Sequence, residues 1–174
     1  MWIGLHSTTF FSKEGNQYTF HSLGLGLRSS WGRRGLFVDA TALLPVQGRE
    51  NGHVYSIGSL YGRHYGGDFL LGYQVRWRAT STIEAEAGGG AHLLFLTLQG
   101  DPGYRDFSAA PLGVGGTGSL RWRTRRRVGE WPFTVAVVGG AALDVRDPMH
   151  GNDLRYGLAF QLGIVAGLLP AGAR

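Results

Sequence analysis

The stretches DFLLGYQVRWRA at 68–79 and IEAEAGGGAHLLFLT at 83–97 decide the fold. In the first, Phe69, Leu71, Tyr73, Val75 and Trp77 share one parity, and Leu70, Gly72, Gln74, Arg76 and Arg78 share the other. In the second, Ile83, Ala85, Ala87, Ala91, Leu93 and Phe95 alternate with Glu84, Glu86, Gly88, Gly90 and His92. Successive side chains of a strand point to opposite faces, so each stretch reads as a strand with one greasy face and one polar or small face. Thr80, Ser81 and Thr82 lie between them. If that connection is a tight hairpin, antiparallel pairing sets Arg78 opposite Glu84 and Arg76 opposite Glu86, all on the polar face.

The pattern continues in both directions. Downstream, Leu112, Val114, Leu120 and Trp122 alternate with Gly113, Gly115, Thr117, Ser119, Arg121 and Arg123; 133–146 and 154–168 follow suit. Upstream, Leu23, Leu25 and Leu27 alternate with Ser22, Gly24, Gly26 and Arg28, and a turn at Gly32-Arg33-Arg34-Gly35 leads into 36–44. Residues 2–11 supply a first strand whose facing the sequence leaves open. Strands are therefore expected at about 2–11, 17–31, 35–45, 67–79, 82–98, 110–123, 132–146 and 153–168, in a single domain over 1–174. Residues 54–65 would make a ninth strand, an unusual count for a single-chain bacterial barrel. The reading therefore places about 46–66 in a long loop that can extend the barrel as a hairpin outside a membrane.

Composition narrows the class. Thirty glycines among 174 residues, with no collagen-like period, point to packing and not to linkers. The chain has no cysteine, hence no disulfide and no thiolate metal site. Of the 17 basic residues only Lys13 is lysine, a poor match to a freely solvated surface. No uninterrupted apolar run is long enough for a helical membrane span. Met1-Trp2 leads straight into a strand pattern, so an export signal is expected to lie outside this sequence.

Alternation alone does not distinguish a membrane barrel from a soluble one, because exchanging inside and outside leaves it unchanged. The residues on the polar face decide the reading. They are glycine and serine with clustered Arg and Glu, a set that suits a crowded lumen better than a wet surface. The apolar face is then expected to meet lipid. Connectors near 32–35, 80–82 and 124–131 fall at one end of the barrel, and those near 12–16, 46–66, 99–110 and 147–152 at the other. Trp31, Trp77 and Trp122 all lie beside the first set, as an aromatic girdle would.

The chain thus reads as all-β, an eight-stranded antiparallel up-and-down transmembrane β-barrel. In this pattern it resembles the small outer-membrane barrels that include the OmpA transmembrane domain, OmpX and OmpW. The resemblance covers nearly the whole chain and rests on architecture. It implies a bacterial outer-membrane location, with loops extracellular and short turns periplasmic, lipid as the surrounding partner, a monomer and no cofactor. The end of the chain, Leu168-Leu169-Pro170 to Arg174, departs from the terminal aromatic residue common in that group.

The polar face collects Arg28, Arg76, Arg78, Glu84, Glu86, Arg121 and Arg123 at the turn end, with Gln74 and His92 farther along. Read as function, this is an electrostatic gate across a narrow lumen; read plainly, it is a set of ion pairs filling the interior, and the plain reading is preferred. The turn end sums to +7, ten arginines against three glutamates, and its run from Arg123 to Arg127 suits an orienting turn. Nucleic acid is not an expected partner, because the arginines lack a stacking platform. No nucleophile shares a face with a base: His6-Ser7 and His21-Ser22 are strand neighbours that point apart, so no enzymatic activity is expected. His92 has no second ligand at usable spacing and reads as a hydrogen-bonded core histidine. The leading expectation is a narrow passive pore or conduit for small solutes, hydrophobic ones among them, in the manner of OmpW. The alternative is a surface-interaction protein that contacts host or neighbouring ligands through Tyr55, Tyr61, His64 and Tyr65 of the long loop.

Overall fold

The alternating segments form strands in the computed structural model, which describes residues 1–12, 15–50, 53–57, 64–98, 107–110, 112–128, 131–146 and 156–168. The strands are β1 (Trp2–Ser12), β2 (Gln17–Ser30), β3 (Arg34–Glu50), β4 (His53–Ile57), β5 (His64–Arg78), β6 (Ile83–Leu98), β7 (Phe107–Ala109), β8 (Leu112–Val128), β9 (Trp131–Arg146) and β10 (Tyr156–Leu168). There is no helix among the described residues. Eight strands, all but β4 and β7, pair antiparallel with their neighbours along the chain. β1 also pairs with β10, from Trp2↔Gly167 to Phe11↔Leu158, and this pairing closes a barrel. Closure satisfies the backbone groups that an open sheet would leave at its edges.

Two hairpins fix the register at the turn end. Trp31 N–H donates to Leu36 O at 3.0 Å around Gly32, whose φ of 84° is a conformation glycine adopts without a Cβ penalty. Between β5 and β6, Ala79 N–H donates to Ile83 O at 3.0 Å, and Ile83 N–H donates to Thr80 Oγ1 at 3.0 Å. Register then runs unbroken from Arg78↔Glu84 and Arg76↔Glu86 to His64↔Leu98.

The strands depart from the expected spans at the ends of the barrel. Residues 46–66 are not one loop. β3 continues to Glu50, β4 folds back on it over Gln47↔Ile57 to Glu50↔His53, and β5 begins at His64. The Asn51-Gly52 dipeptide between β3 and β4 is a strong hairpin signal in the sequence. β4 pairs with β3 beyond the stretch that β5 covers, Arg34↔Val75 to Leu43↔Gly66, so it adds no ninth stave to the wall. β7, expected inside the 99–110 loop, pairs with Leu96–Leu98 of β6. The turn expected over 124–131 is largely strand: β8 reaches Val128, pairing Val128↔Trp131 after an irregularity between Arg123 and Arg127.

The wall sorts side chains by parity. Ile3, Leu5, Leu25, Leu27, Leu71, Trp77, Val114, Leu120, Val137, Leu162 and Ile164, drawn from six strands, all stand exposed on the outside. The lumen holds the other parity and is filled. Its glycines make room for rings: a Cβ on Gly24 would lie 2.7 Å from the His6 ring, and one on Gly88 would lie 2.8 Å from the Phe37 ring. The loop-end half is apolar, with Phe10, Phe20, Leu43, Leu94 and Leu96 at 0–4% exposure and Phe10 packed edge-on against Phe20 at 5.9 Å. The turn-end half carries the charge.

Candidate functional site

β2, β5, β6 and β8 each bring an inward-facing charged residue to the turn-end lumen, because each keeps its polar residues on one parity. Glu86 is the centre. Its side chain is 3% exposed and accepts from Arg28 Nη2 at 2.9 Å on Oε1 and from Arg76 Nε and Nη2, both at 2.9 Å, on Oε2. Arg28, in turn, reaches Asp39 Oδ2 at 3.1 Å and Gln74 Oε1 at 3.2 Å, and stacks 4.6 Å above the Phe37 ring. An isolated charge in this setting would be strongly penalised; pairing is what makes the burial tolerable. Nearer the barrel mouth, Glu84 accepts from Arg123 Nη2 at 2.8 Å, while Arg78 approaches it only to 3.7 Å with 46% of its side chain exposed.

Arg121 stands apart. It faces Glu84 across the β6–β8 ladder, yet it forms no ion pair or side-chain hydrogen bond among the described residues. The sequence groups it with the ion-paired arginines; the structure leaves its guanidinium beside two cavities. One, of about 160 Å³, lies toward the turn end and is lined by Trp2, Arg28, Ser30, Arg76, Arg121 and Thr134 among others. The second, of about 70 Å³, lies deeper, between His6, Asp39, Asp68, His92 and Gln161, and shares Trp2, Arg28 and Arg121 with the first.

In that deeper chamber His92 Nε2 lies 2.9 Å from Asp68 Oδ1, and Gln161 Nε2 donates to Asp68 Oδ2 at 2.5 Å. His92 is therefore held as a hydrogen-bonded interior histidine. Among the described residues no group of three or more His, Asp and Glu side chains is placed to hold a metal ion.

Asp39, Asp68, Gln161 and the apolar plug escaped the sequence reading, and His6, weighed there only beside Ser7, turns into the lumen. Asp68 shares the parity of Gln74 and Arg76, which is a usable signal. Asp39 sits between Val38 and Ala40 with Phe37 on its own face, so no polar stripe marks it. The plug is visible in His92-Leu93-Leu94-Phe95-Leu96, where both parities turn apolar: Leu94 and Leu96 are buried inside while Phe95 is exposed outside.

Trp31, Trp77 and Trp122 are 60%, 48% and 61% exposed, outward-facing and close to the turn end. Tyr65 is also exposed at the other end. Tyr61 lies outside the described residues, and the side chains of Tyr55 and His64 lie outside them as well.

Fold and site together define a closed eight-stranded antiparallel β-barrel with a filled, half-charged and half-apolar interior. Comparison with family models, curated proteins and solved structures returned no match.

Proposed function

We propose that the chain is an integral β-barrel of a bacterial-type outer membrane, with its loop end outside, its short turns periplasmic, and a lumen that serves as a gated narrow conduit for small solutes. The observation that carries the membrane reading is the unbroken apolar exterior. Leucines, valines, isoleucines and aromatics exposed on all eight wall strands have no reason to face water while arginine and glutamate are buried. The outward tryptophans at one end suit the interface between hydrocarbon and headgroups. Strands of 11 to 17 residues in the wall are long enough to cross on a tilt.

Two cavities sharing lining residues support the conduit. The Glu86 cluster closes the passage partway and the phenylalanine plug closes its outer end, so the passage is a gated one and not a standing pore. Heat-modifiable gel migration after refolding in detergent tests the membrane setting; a folded monomer soluble in plain buffer that refuses micelles would overturn it. Planar-bilayer recording tests the conduit. Discrete events are expected, with a frequency that changes about tenfold when Glu84→Gln and Glu86→Gln together release the arginines. Silence in both proteins would remove the conduit.

A surface-interaction role remains the second reading, favoured by the β3–β4 hairpin, which continues past the wall, and by exposed Tyr65.

A further inference from the structure

Of the two cavities, the one toward the turns is lined by three arginines from three different strands, Arg28 of β2, Arg76 of β5 and Arg121 of β8, and, among the described residues, by no carboxylate. We infer that this cavity is a binding site for one tetrahedral oxyanion of the phosphate type, with the guanidinium of Arg121 as its anchor.

The first support is the charge balance. Arg28 and Arg76 are neutralised by Glu86 and Asp39, and Glu84 is engaged by Arg123. Three guanidinium groups thus face two carboxylates around the cavity, and the charge left over is that of Arg121. Arg121 is partly buried and outside ion-pair distance of Glu84 and Glu86, and a resident anion supplies the close counter-charge that Arg28 and Arg76 already have.

The second support is unused donors. The hydrogen bonds and ion pairs among the described residues leave the Arg121 guanidinium unused, and Arg28 Nε is buried with no acceptor. Ser30 Oγ accepts from Arg76 Nη2 at 3.1 Å, which leaves its O–H to donate elsewhere.

Geometry then selects the ligand class. A planar guanidinium fork binds a pair of oxygens on one centre, the arrangement phosphate presents. Donors arriving from three strands call for oxygens pointing in three directions. A carboxylate offers two, whereas a tetrahedral oxyanion offers enough. About 160 Å³ holds such a group together with residual water. The phosphate could be free in solution or could be the head of a lipid at the turn end, since both present the same oxygens. The site stands whether or not the lumen conducts.

Isothermal titration of the refolded full chain in a zwitterionic detergent at low ionic strength tests the inference. Inorganic phosphate and a monomeric short-chain phosphatidic acid are the two probes. Saturable one-to-one binding is expected, weakened about tenfold or more by Arg121→Gln, as loss of charge-assisted hydrogen bonds implies, and unchanged by Arg126→Gln on the exposed outer part of β8. Binding of both probes indicates a site for free anion; binding of the lipid alone indicates a headgroup site; either supports the inference. If Arg121→Gln fails to fold by heat-modifiable migration, Arg121→Lys, which keeps the charge and loses the fork, is expected to bind several-fold more weakly. Lack of saturable binding by either probe, equal affinity in the Arg121 variants, or displacement of phosphate by equimolar chloride would each overturn it.

Discussion

Toward the short turns the lumen is filled by Arg28, Asp39, Arg76, Glu84 and Glu86; toward the opposite end the same barrel is filled by Phe10, Phe20, Leu43, Leu94 and Leu96. The apolar half packs by volume. Each fully buried side chain there contributes roughly 1.5–3 kcal/mol, and nothing in it calls for a particular partner. The charged half is held by pairing. A buried ion pair adds little net stability over an apolar filling of the same shape, because desolvation offsets most of the attraction, yet removing one partner is severe. The difference also maps onto space: both cavities lie against charged residues, and the deeper one reaches the apolar half at Leu43, Ala142 and Ala159. One half is a seal, and the other is a set of groups that can exchange partners.

Substitutions on each side break or sharpen this contrast. The largest loss is expected from Glu86→Ala, which leaves Arg76, with its side chain 15% exposed, without a carboxylate and Arg28, 10% exposed, with Asp39 alone, and costs about 4 kcal/mol of folding stability. Urea unfolding in lipid vesicles, followed by tryptophan fluorescence, measures it; a loss near zero would mean that the arginines find other partners and that the charged half is not organised around Glu86. Phe20→Ala comes next. It removes a fully buried ring from the plug and is expected to cost about 3 kcal/mol by the same assay. A much smaller cost would show that the plug collapses to fill the space and is looser than its burial implies. Arg78→Gln should be the mildest, below about 1 kcal/mol, because its 3.7 Å approach to Glu84 is made by a half-exposed side chain. An effect as large as that of Glu86→Ala would extend the charged cluster to the mouth of the barrel.

Legibility in the sequence followed the same division. Where one parity is apolar and the other polar, as in 68–79 and 83–92, strand, turn and pairing could all be read, and Arg76↔Glu86 and Arg78↔Glu84 stand opposite each other as a tight hairpin requires. At the loop end both parities become apolar over 93–96, the one mark in the sequence that half of these residues fill the lumen. Beyond the wall, Val46 to Glu50 shows no alternation, so the reading gave about 46–66 to a long loop able to form a hairpin, and β3 and β4 pair there from Gln47↔Ile57 to Glu50↔His53. Pairing within one hairpin is local and can be counted from the turn. Arg28 with Glu86 joins strands that are not neighbours in the wall, and no count along the chain yields that contact.

The sequence by itself determined that the chain is all-β, that its strands alternate, and that arginine and glutamate share one face, because a period of two is a property of the extended backbone alone. Alternation alone leaves inside and outside exchangeable; the glycine, serine, arginine and glutamate of one face pointed to the lumen, and closure of the barrel put that face inside. The tertiary structure separated the charged half from the plug, and it showed that Arg121, indistinguishable in the sequence from Arg123, lines the lumen without an ion pair among the described residues. Distances across a lumen depend on closure, and closure joins β1 to β10, the two ends of the chain.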